Sequence, residues 1–169
     1  MKNLIIFVED NFEDIELLYP LYRLREAGYG VTVVGTGTKY NYTGIHGYVV
    51  DVDASAGEID EDDYEGVIIP GGTAFLKLRT NVHIKNIVKH MMDNNKILGV
   101  IGYGNYVLIS AKVLTSHKIS CTDEMSDDVI NAGGEYVRIG NYVDKNIITA
   151  KRQVNLPQFM NDVFDYLNK

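Results

Sequence analysis

The sequence predicts an α/β fold in which a mainly parallel, doubly wound β-sheet is covered by helices on both faces. Short, continuously apolar runs alternate with amphipathic helical segments, as expected of strands that are buried on both faces. The 169 residues, of which 46% are hydrophobic, fit one compact domain. No linker, repeat or low-complexity tract interrupts the alternation, so residues 1–169 are expected to form a single domain.

The first strand and helix are predicted near the start of the chain. Residues 4–8 (LIIFV) are apolar throughout and predict a buried strand. Residues 14–27 have helical spacing, and Gly28 is placed to end that helix as a C-terminal cap. Pro20 lies inside the pattern and is expected to bend or break the helix. The positions that the spacing predicts to be buried are Ile15, Leu18, Leu21, Tyr22 and the turn at Leu24 and Arg25.

A second buried strand, residues 31–35 (VTVVG), precedes a segment of different character. Residues 39–53 contain two short runs, YNY and YVVDV, on either side of Gly44–Gly47 (GIHG). Two β-prone runs around a glycine-containing turn predict a small hairpin outside the main sheet. His46, in that turn, is expected to stabilise the hairpin.

The second half of the chain continues the alternation. Residues 66–72 (GVIIPGG) and 97–102 (ILGVIG) predict buried strands, residues 82–94 predict a helix, and another helix is predicted over 105–113. The helix over 82–94 is expected to bury Ile84, Ile87, Val88 and Met91. The remaining predicted elements are short strands near 117–121, 135–138 and 146–150, a helix near 126–132 and a C-terminal helix from about 156 to 167.

Composition and charge exclude several classes of function. A net charge of −7 argues against a nucleic-acid or membrane partner, because those negatively charged surfaces bind positively charged patches of a protein. The apolar run at the N-terminus is too short for a signal peptide, so a cytoplasmic protein is expected. Cys121 is the only cysteine, so an internal disulfide is impossible. The four histidines show no metal-ligand spacing, and neither a metal nor a cofactor is expected.

The strand over 97–102 runs directly into a helix through a glycine turn. The strand ends at Ile101, the turn is Gly102-Tyr103-Gly104, and the helix begins near Asn105. This strand–turn–helix elbow is the geometry in which α/β hydrolases hold a nucleophile, with backbone N–H groups ready for an oxyanion. Because ligands bind beyond the carboxyl ends of parallel strands, the site is expected here. The tip of the elbow, Gly102, carries no nucleophile.

The rest of the chain gives the elbow a context. Five segments in collinear order resemble the PfpI family of intracellular cysteine peptidases and deglycases, which belongs to the class I glutamine amidotransferase-like superfamily. The resemblance implies a three-layer, flavodoxin-like fold and a homodimer or hexamer. The segments are FEDIELLYPLYRLREAG (12–28), GIHGYVVDVD (44–53), IPGG (69–72), VLISAKVL (107–114) and DDVINAGGEYV (127–137).

The resemblance also assigns the family's catalytic positions, and here those positions carry other residues. The family's elbow reads Ile-Cys-His-Gly-Pro, so the nucleophilic cysteine position is Gly102 and the adjacent histidine position is Tyr103. Leu76 stands where active members have a glutamate that acts across a subunit contact, and Thr73 replaces the usual arginine. The family's Ser-Arg-Pro segment corresponds to residues 150–153 (AKRQ).

One acidic group of the family pattern is retained. The resemblance assigns Glu13, in the Phe-Glu-Asp motif, to the acid that shares a proton with the thiol in active relatives. A helix N-terminal carboxylate stabilised by the helix dipole is the alternative role for Glu13. The residues expected to form the pocket are Glu13, Gly71, Gly72, Tyr103, Gly104 and Thr122.

Two hypotheses of function follow. The first is a PfpI-like protein without cysteine-hydrolase activity that binds a small molecule or serves as an oligomeric scaffold, with Phe75 and Leu76 exposed for an apolar contact. The alternative is a peptidase- or deglycase-type hydrolase that uses shifted residues, namely Glu13, Tyr103 and Cys121. Cys121 is either a buried inert thiol or a displaced nucleophile.

Two further possibilities have less support in the sequence. Asp123 and Glu124 follow the strand that ends at Cys121 and could join Glu13 as an acid–base pair or a cation site. A chaperone-like binder is compatible with the relatives but has no sequence feature of its own here.

Overall fold

A seven-stranded β-sheet forms the centre of the computed structural model, which describes residues 1–169. The strands of the chain, in order, are β1 (Asn3–Val8), β2 (Gly30–Gly35), β3 (Asn41–Thr43), β4 (Val49–Asp51), β5 (Ala54–Ser55), β6 (Gly66–Ile69), β7 (Ile97–Ile101), β8 (Lys118–Ile119), β9 (Glu135–Tyr136), β10 (Asn141–Asp144) and β11 (Ile147–Ala150). The central sheet has the order β10-β11-β7-β6-β1-β2-β5.

Six of the seven central strands run parallel, and only the edge strand β10 pairs antiparallel, with β11. β3 and β4 form a separate antiparallel hairpin, and β8 pairs with β9. The helices are α1 (Asp14–Glu26), α2 (Phe75–Leu78), α3 (Val82–Asp93), α4 (Asn105–Ala111), α5 (Ser126–Asn131) and α6 (Leu156–Leu167). The predicted fold class, including the small hairpin, is confirmed.

The core lies between the sheet and its helices. β1, β6, β7 and β11 have fully buried apolar side chains on both faces, as their sequences predict. Helix α3 buries the four predicted residues, Ile84, Ile87, Val88 and Met91, and α6 contributes Phe159, Met160 and Val163. These packed layers hold the strand ends in fixed positions relative to one another.

Helix α1 differs from the prediction in its buried face. Ile15 and Tyr22 are exposed (48% and 54%), whereas the helix buries Leu17, Pro20, Leu21 and Leu24 together with the acidic residues Asp14 and Glu16. Tertiary contacts explain the difference, because the carboxylates of Asp14 and Glu16 are bound by backbone N–H groups of the hairpin and of the glycine turn after β6. The expected break at Pro20 is absent, since the helix continues through it to Glu26.

The other differences concern short elements. The strands near 117–121 and 135–138 are only two residues long, while α2, β5 and the antiparallel strand β10 were not predicted. Elements of two to four residues carry too few positions for a periodic pattern, so tertiary pairing decides them.

Candidate functional site

The carboxyl ends of β1, β6, β7 and β11 meet around one pocket of about 290 Å³. Its lining combines the elbow, the glycine turn after β6, the start of α1 and the segment after β11. The lining residues are Glu13, Glu16, Ile45, Gly72, Thr73, Gly102, Tyr103, Thr122, Glu124, Lys151, Arg152 and Gln153. Four of the six predicted pocket residues are among them; Gly71 and Gly104 are buried beneath the pocket.

The tip of the elbow has a left-handed backbone conformation and room for a side chain. Gly102 begins a 3-10 turn that ends at Gly104 and leads directly into α4. Its φ of +50° lies in the left-handed region, which disfavours L side chains. A Cβ at this position would meet no heavy atom closer than the Lys151 carbonyl oxygen, at 3.6 Å. The elbow therefore has space for a side chain that the sequence does not supply.

The base of the elbow is crowded. A Cβ added to Gly104 would lie 2.6 Å from the Ile69 carbonyl oxygen and 3.0 Å from that of Pro70. Asn105 is fully buried and donates its Nδ2–H to the Gly102 carbonyl oxygen at 2.9 Å. These contacts pack the turn against the end of β6.

The glycine turn after β6 is held against the segment that follows β1. Thr73 donates its N–H to the Asn11 carbonyl at 2.9 Å, and Glu13 donates its N–H to the Gly71 carbonyl at 3.2 Å. Gly72 adopts a φ of +78°, lines the pocket and gives its own N–H to no protein acceptor. A backbone donor in this position can bind a carbonyl or carboxylate oxygen of a ligand.

Glu16 is the acidic residue that the sequence-based reasoning missed. Its side chain is almost fully buried (3% exposed) below the pocket, and its Oε2 accepts the Gly71 N–H at 2.7 Å. Burial raises the pKa of Glu16 to about 7, against a smaller lowering by that hydrogen bond. A carboxyl group with such a pKa exchanges a proton near neutral pH. The sequence did offer one sign of Glu16, because this residue lies about one helical turn after Glu13 and therefore on the same side of the helix.

Glu13 occupies the edge of the same pocket. Its Oε1 lies 3.3 Å from Nε2 of His46, whose side chain is two-thirds exposed. The hairpin turn is anchored by Asp14 instead, whose two carboxylate oxygens accept the N–H groups of His46 and Tyr48, each at 3.0 Å. The side chain of His46 thus contacts Glu13, while its backbone contributes to the hairpin.

Cys121 does not reach the pocket. The residue is fully buried and is absent from the lining, although the next residue, Thr122, lines it. Burial raises the pKa of the Cys121 thiol to about 12. Because the thiolate is the nucleophilic form, burial and the raised pKa both disfavour nucleophilic attack by this thiol.

Tyr103 of the elbow and Phe75 of α2 form part of a packed aromatic cluster. Tyr103 lines the pocket and has an edge-on contact with Phe75, at 6.0 Å between ring centroids. Phe75 stacks on Tyr106 at 4.5 Å and is partly buried, so only Leu76 (59% exposed) is available for the predicted apolar contact. Tyr103 leaves the pocket open.

The segment after β11 supplies the cations of the pocket. Lys151 forms an ion pair with Asp123, which also accepts a hydrogen bond from the Tyr136 hydroxyl. These hydrogen bonds lower the pKa of Asp123 to about 2 and raise that of Lys151, so both groups stay charged. Arg152 and Glu124 line the pocket without an ion pair.

Fold and site together define an α/β protein with a strand–turn–helix elbow that carries glycine at its tip. The chain belongs to the DJ-1/PfpI family, whose sequence pattern matches residues 2–165. No helix of the structure combines the length and the apolar character needed to cross a membrane.

Named relatives span almost the whole chain. A protein named deglycase from Thermococcus kodakarensis is 38% identical over 162 residues, which is 96% of each chain. Deglycase PfpI of Pyrococcus furiosus is 35% identical over 159 residues, covering 94% of this chain and 95% of its own. A putative cysteine protease of Bacillus subtilis is 31% identical over 166 residues and 98% of each chain.

A solved structure with a similar fold comes from Anabaena variabilis. It is a two-domain protein with DJ-1/ThiJ/PfpI-like and ferritin-like domains, and the match has a TM-score of 0.96 at 29% identity. The match covers 99% of this chain and 48% of that chain.

Proposed function

We propose that this DJ-1/PfpI family member has lost thiol-dependent hydrolysis and binds a small molecule in the pocket at its elbow. The observation that carries the proposal is Gly102, which stands at the tip of the turn with room for a side chain that it does not have. Most of the residues that line the pocket are polar or charged, but no side-chain atom stands at the tip to attack a substrate carbon.

No neighbouring group replaces that atom. Cys121 is buried and its pKa is raised to about 12, so it offers no thiolate. Tyr103 offers only a phenol hydroxyl, and its ring has an edge-on contact with Phe75. Nucleophile, base and orienting acid act as a unit, and losing them together removes most of the catalysis.

A second candidate function is a hydrolase that uses water in place of the thiol. Several relatives are named deglycases, and Glu16 is a buried acid with a pKa of about 7 at the pocket. Such a group could accept a proton from water while the free Gly72 N–H binds the carbonyl oxygen. In this alternative Glu16 takes the role first expected of Glu13, Tyr103 and Cys121.

Turnover measurements on matched variants separate the two candidates. The purified protein, Glu16→Gln and Gly102→Cys are assayed with a peptide substrate and a glycated amino acid. The proposal predicts no turnover above background by the unaltered chain. Turnover that disappears in Glu16→Gln would establish the hydrolase instead.

Thiol labelling tests the loss of the nucleophile directly. Iodoacetamide is expected to leave native Cys121 unmodified and to add one label to Gly102→Cys, with Gly102→Ala as the control for backbone strain. One label on the unaltered native chain would return Cys121 to the list of possible nucleophiles.

We also infer that the chain is cytoplasmic and associates with itself, as a dimer or a hexamer. Exposed apolar side chains on α1 and the hairpin, including Ile15, Tyr22 and Val49, support an interface between copies, as does Leu76 on α2. Sedimentation equilibrium of the unaltered chain, Ile15→Lys and Leu76→Lys tests both patches. A monomer at all concentrations would contradict the inference.

A further inference from the structure

Some charged groups of the pocket have a partner of opposite charge or a hydrogen-bond donor within the protein, and others have none. At one end, Glu13 contacts His46 and Glu16 accepts the Gly71 N–H. At the other end, Lys151 is neutralised by Asp123, whereas Arg152 is exposed and has no carboxylate within ion-pair distance. A guanidinium at a pocket without an acidic partner is available to a ligand.

The sheet separates these two ends. Arg152 follows β11 and Glu13 follows β1, and β7 and β6 lie between those strands. Three strand spacings amount to about 14 Å. An anion at the Arg152 end can therefore sit away from the two carboxyl groups at the start of α1.

Two polar groups without protein partners also line the pocket. The Gly72 N–H is a free backbone donor, and the Thr122 hydroxyl is a buried group at the pocket with no hydrogen-bond partner. Buried polar groups in proteins are nearly always satisfied, so an orphan hydroxyl beside a pocket points to a ligand's polar atom. At Gly102 itself there is room for part of a ligand, since an added Cβ would meet only the Lys151 carbonyl oxygen, at 3.6 Å.

The size and charge of the pocket restrict the ligand. At about 290 Å³ it lies at the lower limit of ligand pockets, which favours a molecule of a few heavy atoms. Glu124 also lines the pocket without an ion pair, so a doubly charged anion such as phosphate would be repelled more strongly than a singly charged one. The planar fork of arginine matches the two oxygens of a carboxylate.

We propose that Arg152 anchors the carboxylate of a small monocarboxylic ligand in this pocket. The inference rests on the proposed function and adds the chemical class of the ligand. The carboxylate binds the guanidinium, and the rest of the molecule extends over Gly102 towards the Gly72 N–H and the Thr122 hydroxyl.

Propionate and propionamide provide a matched pair of probes, since they share shape and differ in charge. Each is titrated into the full chain, Arg152→Gln and the control Arg25→Gln, with binding followed by NMR shifts of pocket residues. Arg25 is an exposed arginine of α1 that lines no part of this pocket. Propionate is expected to bind the unaltered chain and Arg25→Gln equally, and about tenfold or more weaker to Arg152→Gln.

Four results would overturn the inference. One is propionate affinity in Arg152→Gln within about twofold of the unaltered chain, and another is equal binding of propionamide. The third is binding of neutral fragments to the unaltered chain that is lost in the pocket-filling variant Thr73→Trp and that no carboxylate competes away. That third result would leave the proposed function standing, whereas binding of neither carboxylates nor neutral fragments would remove both proposals.

Discussion

The floor and the mouth of the pocket are built from similar residues under different constraints. The floor, defined as Glu16, Gly71 and Gly104, is buried, and each member touches backbone atoms of a neighbouring strand end. The mouth, defined as Glu13, Gly102 and Arg152, faces the open space of the pocket. Each region contains at least one glycine and one glutamate, so residue type alone does not distinguish them.

The difference separates what the fold requires from what the chemistry would require. A side chain at Gly104 would overlap the carbonyl oxygens that end β6, so the fold demands glycine there. A side chain at Gly102 would meet only the Lys151 carbonyl at 3.6 Å, so the fold leaves that position free apart from its positive φ. The floor thus fixes the shape of the pocket, whereas the residue at the elbow tip is left free by its surroundings.

The largest expected effect concerns the protonation of Glu16 on the floor. Its pKa in the folded protein, about 7, lies above its ordinary value of 4.5, so the folded state disfavours the charged form. The stability associated with this group is complete below pH 4.5 and is lost as pH rises to about 7. The loss is about 3 kcal/mol.

The matched variant for this prediction is Glu16→Gln, which keeps a carbonyl oxygen for the Gly71 N–H. Urea unfolding of both proteins between pH 4 and pH 8 should show the difference between their free energies of unfolding changing by about 3 kcal/mol in favour of the variant. A constant difference across that range would mean that the pKa of Glu16 is not raised in the folded protein.

Gly104→Ala tests the crowding of the floor. The new methyl group would lie 2.6 Å from the Ile69 carbonyl oxygen, so the turn must move away from β6. We expect a loss of about 2 to 3 kcal/mol in the free energy of unfolding, measured by denaturant titration. A loss as small as that of Gly102→Ala would erase the distinction between floor and mouth.

Gly102→Ala is the corresponding change at the mouth. The alanine side chain has space, and only the left-handed backbone angle opposes it. The expected loss is about 1 kcal/mol, and the same denaturant titration measures it. A loss above that of Gly104→Ala would show that the elbow tip is more constrained than its surroundings indicate.

The smallest effect is expected for Glu13→Gln, also at the mouth. The Glu13 contact with His46 is solvent-exposed on the histidine side, and exposed ion pairs contribute about 0.5 kcal/mol or less. Thermal unfolding at neutral pH should therefore change little. A large destabilisation would assign Glu13 a structural role in joining α1 to the hairpin.

The sequence predicted the fold well where the elements are long and apolar. β1, β6, β7 and α3 follow their predicted positions to within a few residues, because burial on both faces or on one helical face leaves a periodic pattern. Helix α1 shows the limit of that signal. Its exposed Ile15 and Tyr22 fit a buried face by spacing, and its buried Asp14 and Glu16 do not.

The sequence by itself determined the parallel sheet, the elbow and the absence of a thiol at Gly102, since these depend on apolar runs, glycine positions and residue identity. Only the tertiary structure decided that Glu16, rather than Glu13, is the buried acid, that Cys121 is sealed from the pocket and that Arg152 lacks a partner. Each of these properties depends on atoms that are far apart in the chain. Burial raises a pKa, and an ion pair neutralises a charge, only after folding has brought the strand ends together.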